Sequence, residues 1–170
     1  MAGAGPYFPA RMEDERAFRD TIGHFATGVC VVTALGGGGP AGLTTNAVTS
    51  LSVDPPLLLV CFDNASRTLQ VVRDAGRFAV NILPAGREDL ARTFASKRLA
   101  TDKFAQVTHT VEGGVPVLDC ALAWLACEVQ ALHPGGDHTI GVGAVTAMGQ
   151  RPGEPLVFYR GRYAALTPET

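Results

Sequence analysis

Gly42-Leu43-Thr44-Thr45-Asn46-Ala47-Val48-Thr49-Ser50-Leu51-Ser52-Val53-Asp54-Pro55-Pro56 runs directly into Leu57-Leu58-Leu59-Val60-Cys61-Phe62. The first part is dense in small hydroxyl and amide side chains, a composition that lets backbone approach a flat ligand with polar edges. The second part is continuously apolar, as expected of a strand buried on both faces. Between them Asp54-Pro55-Pro56 lacks two backbone donors, which excludes helix and predicts an extended lead into the strand.

Working outward, Gly28 to Leu35 is short and β-branched and reads as a strand. Gly36 to Pro40 is a turn, and Ala41 to Thr45 the returning strand. The glycine run carries no Lys and opens no helix, so it is a hairpin tip and not a phosphate loop. Upstream, Phe18, Ile22 and Phe25 fall at i, i+4 and i+7, one face of a helix within Met12–Ala26. Residues 1–11 read as a loose tail.

Downstream, Ser66 is placed to cap a helix through Asp74, with Leu69 and Val72 turned inward. A strand over Arg77–Leu83, a helix over Gly86–Ala95 and a turn at Gly113-Gly114-Val115-Pro116 follow. Ala121–Leu132 and His138–Met148 read as long strands about a hairpin at His133-Pro134-Gly135-Gly136, and Leu156–Tyr159 as a short last strand. Hairpins with a few inserted helices predict a mostly-β or α+β barrel, one domain over residues 12–166.

Composition narrows the function. The 170 residues are 46% hydrophobic and 18% charged, with a net charge of −2. Without a basic run in the sequence, nucleic acid is not an expected partner. No apolar run approaches the ~18 residues of a membrane helix, and the N-terminus lacks a secretory pattern, so a cytoplasmic location is expected. Cys30, Cys61, Cys120 and Cys127 form no Cys-x-x-Cys pair and have no His at metal-ligand spacing. They read as buried free thiols and predict no metal site; Cys61, at a strand end, is the exception worth following.

Several segments are candidates for chemistry. Thr44, Thr45, Asn46 and Ala47 are either donors for a ligand edge or an ordinary edge strand and Asx-type turn. Asn64-Ala65-Ser66-Arg67-Thr68 stands where a strand gives way to a helix, which suits an anion or merely a helix cap. Lone residues such as Phe94, Lys97, His138, Arg160 or Tyr163 would each pass as core or surface. No Ser-His-Asp order, His-Glu-x-x-His or Gly-x-Gly-x-x-Gly fingerprint is present.

Taken together, Gly42-Leu43-Thr44-x-Asn46, Asn64-Ala65-Ser66-Arg67-Thr68, Phe94-Ala95-Ser96-Lys97, Gly136-Asp137-His138-Thr139 and Arg160-Gly161-x-Tyr163 resemble the flavin reductase-like family, from about Phe18 to Tyr163. The resemblance implies an FMN-binding split barrel, homodimeric. It implies an NAD(P)H:flavin oxidoreductase supplying reduced flavin to a separate monooxygenase. FAD or FMN is the implied flavin and NADH or NADPH the implied hydride donor. The ring would lie against Thr44, Thr45, Asn46 and Ala47, Thr45 departing from the Ala common there.

By the same resemblance the phosphate would lie at Asn64, Ser66, Arg67 and Thr68, with Ser50 and Ser52 nearby and Cys61 beside the site. Phe94 and Ala95 would border the flavin tail. His138 would face the flavin, position the nicotinamide and relay a proton, oriented by Asp137. Arg160 would meet cofactor phosphates and Tyr163 would act as a lid. Two alternatives stand beside this: a flavin-binding module of the same fold that does not oxidise NAD(P)H, and a split-barrel oxidase of a small substrate such as a pyridoxine phosphate.

Overall fold

Gly42 lies so close to the Phe94 ring that a Cβ there would stand 2.6 Å from Cε1, and this contact joins the sheet to the helices that wall the site. The structure is a computed structural model that describes residues 14–166; the expected N-terminal tail lies outside the described residues. In chain order the elements are α1 (Glu15–Ile22), β1 (Thr27–Gly28), β2 (Cys30–Gly36), β3 (Gly39–Thr45), β4 (Val48–Val53) and β5 (Pro56–Asp63). Then come α2 (Arg67–Ala75), β6 (Arg77–Ile82), α3 (Glu88–Ala95), α4 (Ala100–Phe104), β7 (His109–Glu112) and β8 (Val115–Leu118). Last are β9 (Ala123–Gly135), β10 (His138–Gln150), β11 (Val157–Tyr159) and β12 (Arg162–Ala164).

Seven strands form one antiparallel sheet in the order β3-β2-β6-β9-β10-β5-β4. β3 and β4 are consecutive in the chain yet occupy opposite edges, so the curled sheet is split between them. Register shifts in β10 at Val142/Gly143 and Val145/Ala147 increase the local twist that curling needs. Gly143 and Gly141 leave room for the rings of Phe78 and Phe62, which a Cβ would approach to 2.6 and 2.7 Å.

Alternation along the strands sets the two sides of the sheet. Cys30, Val32 and Ala34 of β2 point into one core with Leu58, Val60, Phe62, Phe78 and Val80, closed by Leu69 and Val72 of α2. Val29 and Val31 point the other way, onto Leu90, Ala91 and Phe94 of α3, with Phe104 and Leu118. A buried polar group lies between the layers: Asn81 Nδ2 donates to Val31 O and Thr33 Oγ1, and its Oδ1 accepts from the Leu118 N–H. Thr33 in turn donates to Pro116 O. Every polar atom of this group is paired, which is what makes its burial tolerable.

The structure corrects several expectations. In β5 only Leu58, Val60 and Phe62 are buried, while Leu57, Leu59 and Cys61 are half-buried, because β5 lies next to the edge strand and its outer side is only partly covered. Asp54-Pro55 forms a hairpin turn and not an extended lead, so the hydroxyl-rich stretch is itself strand β4. His133 and Pro134 belong to β9, and the turn falls at Gly136-Asp137. The β11 strand is not the last, because Arg160-Gly161 turns into β12. Helix α1 forms as expected, capped by Asp14, but it buries none of its residues in this chain.

Gly42→Val would force the Phe94 ring out of its packed position. We expect a loss of about 1–3 kcal/mol in unfolding free energy, measured by urea titration.

Candidate functional site

The C-terminus of α3 faces the N-terminus of α2 across a cleft of about 850 Å³. Its walls are the β2–β3 hairpin from Gly36 to Thr44, Asp63 and residues 65–68 with Val71 and Asp74, and the segment 94–98 with Ala100 and Lys103. Each wall is there for a local reason. Ser66 is extended and its Oγ accepts from the Thr68 N–H, so α2 starts at Arg67 with its N-terminal amides toward the cleft. Thr44 Oγ1 donates to Ala91 O at 2.7 Å, tying β3 to α3.

Two cations hold the segment that leaves α3. Arg67 Nη2 donates to Lys97 O at 2.9 Å and to Arg98 O at 2.7 Å. Lys103 Nζ donates to Phe94 O at 2.9 Å and to Gly42 O at 3.3 Å. Phe94 O lies in the last turn of α3, where carbonyls lack intrahelical partners and carry the negative end of the dipole, so a cation satisfies it well. The cleft thus gathers Arg67, Lys97, Arg98 and Lys103 against Asp63 and Asp74, a basic cluster that no run in the sequence reveals.

A second group adjoins the rim. The Asn64 N–H donates to Asp137 O, its Nδ2 to Gly136 O, and its Oδ1 accepts from Thr139 Oγ1 at 2.7 Å. Arg73 Nη2 also donates to Thr139 Oγ1. This lashes the β9–β10 turn to residue 64, and the strand register sets His138 beside Asp63 of the cleft. His138 Nδ1 lies 2.7 Å from Asp137 Oδ1. A carboxylate can only accept, so Nδ1 donates the proton, and Nε2 makes no hydrogen bond among the described residues. The hydrogen bond from His138, together with its charge, holds the Asp137 carboxyl below the usual carboxylate range.

Of the residues singled out in the sequence, Thr44, Ser66, Arg67, Thr68, Phe94 and Ala95 line the cleft. Phe94 does so from a core position, being buried between Gly42 and Phe104. Asn64, Asp137 and His138 form the rim group. Thr45, Asn46, Ala47, Ser50 and Ser52 lie instead along the split in the sheet: Thr45 Oγ1 accepts from the Ala47 N–H, and Asn46 Nδ2 donates to Thr27 Oγ1. Cys61 is half-buried on β5 and its N–H donates to Ala47 O.

Arg160 and Tyr163 do not reach the cleft in this chain. Arg160 sits in the β11–β12 turn at φ 48°, its N–H donating to Gly23 O. Tyr163 packs on Phe158, with the Arg92 guanidinium 5.2 Å from its ring centre. Burial pushes the thiols of Cys30 and Cys127 up to about 12, in line with their reading as inert core groups. Among the described residues no group of His, Cys, Asp or Glu is arranged to hold a metal. Sequence reasoning missed Lys103 because its five-residue helix is too short to show a periodic face.

The comparisons define the class. Residues 22–167 match the family described as "Flavin reductase like domain". The chain is 38% identical over 160 residues to the flavin-dependent monooxygenase reductase subunit HsaB of Mycobacterium tuberculosis, covering 92% of this chain and 84% of that one. It is 43% identical over 157 residues to the "Flavin reductase (NADH)" of Kitasatospora aureofaciens, covering 89% and 81%. The solved NADH:FAD oxidoreductase SgcE6 of Streptomyces globisporus superposes with a TM-score of 0.90 at 36% identity, over 96% of this chain and all of that one. The chain therefore belongs to the flavin reductase-like family, and its split barrel is the fold of that family's solved members.

Asn64→Ala removes both side-chain ties to the β9–β10 turn. Losing two hydrogen bonds worth about 0.5–1.5 kcal/mol each should speed amide exchange at Asp137–Thr139 by roughly five- to a hundredfold, read by hydrogen-exchange mass spectrometry.

Proposed function

We propose that this chain is an NADH-dependent flavin reductase that supplies reduced flavin to a separate monooxygenase. The observation that carries this is the juxtaposition of the cation-rich cleft with the Asp137–His138 pair at its rim, in a chain of the flavin reductase-like family. The donor set fits a flavin nucleotide. Helix amides and Arg67 suit a phosphate, and the glycines of the hairpin tip line the cleft with backbone free of side chains. When bound, the flavin supplies the hydride-accepting ring, and the protein's contribution is orientation.

On this reading Thr44, Thr45, Asn46 and Ala47 offer amides and hydroxyls to ring edges along the split in the sheet, with Ser50, Ser52 and Cys61 beside them. Ser66, Arg67 and Thr68 take the phosphate, and Phe94 and Ala95 border the tail. His138, held by Asp137, positions the nicotinamide and exchanges a proton at Nε2. Arg160 and Tyr163 complete the site from the C-terminal hairpin, and residues 12–166 act as one domain in the cytoplasm. No helix among the described residues is long and apolar enough to cross a membrane.

The same reading makes the protein a homodimer. Phe18, Ile22 and Phe25 are 67%, 54% and 71% exposed along one side of α1 and the turn after it. An amphipathic helix that buries nothing in its own chain needs another surface to cover it.

Anaerobic mixing of the protein, FAD or FMN, and NADH should bleach the flavin band far faster than the protein-free control. Flavin binding without bleaching would favour the non-catalytic module, and absence of binding would sink the proposal. His138→Ala should lower NADH oxidation by about tenfold or more while flavin affinity changes little; loss of flavin binding would show that His138 holds the flavin and does not position the nicotinamide. Phe18→Asp should shift the mass by light scattering from dimer toward monomer, and an unchanged mass would place the interface elsewhere.

A further inference from the structure

Lys103 is the one charged side chain that is buried among the described residues, at 7% exposure. Ammonium groups avoid such positions unless something compensates the lost hydration. Two of its three donors are used by the Phe94 and Gly42 carbonyls, which carry no formal charge. Neither Lys103 nor its neighbour Arg67 forms an ion pair with a carboxylate among the described residues. Burial first, and then the Arg67 guanidinium, lower the Lys103 pKa from its ordinary value. Arg67, the first residue of α2, and Lys103, from α4, therefore line one cleft with no carboxylate ion-paired to either among the described residues, beside the hydroxyls of Ser66 and Thr68.

That arrangement is unfavourable for the cleft alone and becomes favourable when an anion lies between the cations. We propose that Lys103 and Arg67 jointly hold a phosphate group of the flavin nucleotide, and that Lys103, through its remaining N–H, is the residue by which the protein distinguishes phosphorylated flavin from riboflavin. This rests on the flavin-reductase reading of the cleft. It adds a buried charge, reached from α4, to a phosphate site otherwise built from the start of α2. The same ammonium couples ligand to scaffold, because it also joins β3 to the end of α3.

A purely structural staple would need donors but no charge, and substitution separates the two. Lys103→Gln keeps two N–H donors for the two carbonyls and removes the charge; Lys103→Arg keeps the charge. With NADH saturating, the ratio of KM for riboflavin to KM for FMN should fall at least about tenfold in Lys103→Gln, the size expected for one charge-assisted hydrogen bond. It should stay within about threefold of wild type in Lys103→Arg. If KM for both flavins shifts by the same factor in Lys103→Gln, or by none, Lys103 is only a staple and the proposal is overturned.

Should Lys103→Gln fail to fold, Arg67→Gln carries the test: the same fall in the ratio supports the paired site, and an unchanged ratio overturns it. If the wild-type protein reduces no flavin at all, the functional reading fails separately, and inorganic pyrophosphate then decides the anion site. A rise in the thermal midpoint of wild type that is absent in Arg67→Gln supports it, and no rise in wild type overturns it.

Discussion

The contact of Phe94 with Gly42 governs the geometry of this molecule. A glycine is needed there because the ring occupies the space where any Cβ would lie. With the ring seated, α3 rests on β3, Thr44 reaches Ala91 O, and Lys103 can bridge Gly42 O and Phe94 O. Burying a phenylalanine of this kind is worth about 3–5 kcal/mol against truncation to alanine. The cleft wall is thus an extension of the core, and not a loop laid over it.

The same device recurs on the other side of the sheet. Phe62 and Phe78 pack over Gly141 and Gly143 of β10 and meet edge to face at 5.9 Å. Close packing of large rings on bare backbone, together with the β10 bulges, curls seven strands without closing them. Between the two layers the Asn81 group fixes β2, β6 and β8 against one another, every donor and acceptor satisfied. Function is left to the rims of this frame: the two helix ends at the cleft and the turn carrying Asp137 and His138. Catalysis by orientation needs such a division, since a rigid scaffold holds two planar partners in register while the groups that touch them stay accessible.

Several expectations depended on the fold for their meaning. The Phe18–Ile22–Phe25 stripe is a correct helix signal, but its periodicity says only that one face is apolar, and in this chain that face meets solvent. The apolar run of β5 is a correct strand signal, yet position beside an edge strand leaves alternate residues half-covered. The motifs Asn64–Thr68 and Gly136–Thr139 are far apart in sequence and become one structure because β5 and β10 pair in a register that sets Asp63 opposite His138. Arg160 and Tyr163, which resemble the close of the family pattern, instead pack against Gly23, Phe158 and Arg92 within the chain.

What the sequence by itself determined are the local features: strands from β-branched runs, turns from Gly and Pro, the Ser66 cap, and ordered motifs that mark the family. Each of these is set by interactions within a few residues or by a pattern readable along one chain. Only the tertiary structure decided that Arg67, Lys97, Arg98 and Lys103 share one cleft, that Asn64 anchors the turn bearing His138, and which apolar faces stay uncovered. Those outcomes depend on strand register and on how the helices dock against the sheet. Charge and burial at a point in space come from residues whose distance along the chain carries no information about their distance in the fold.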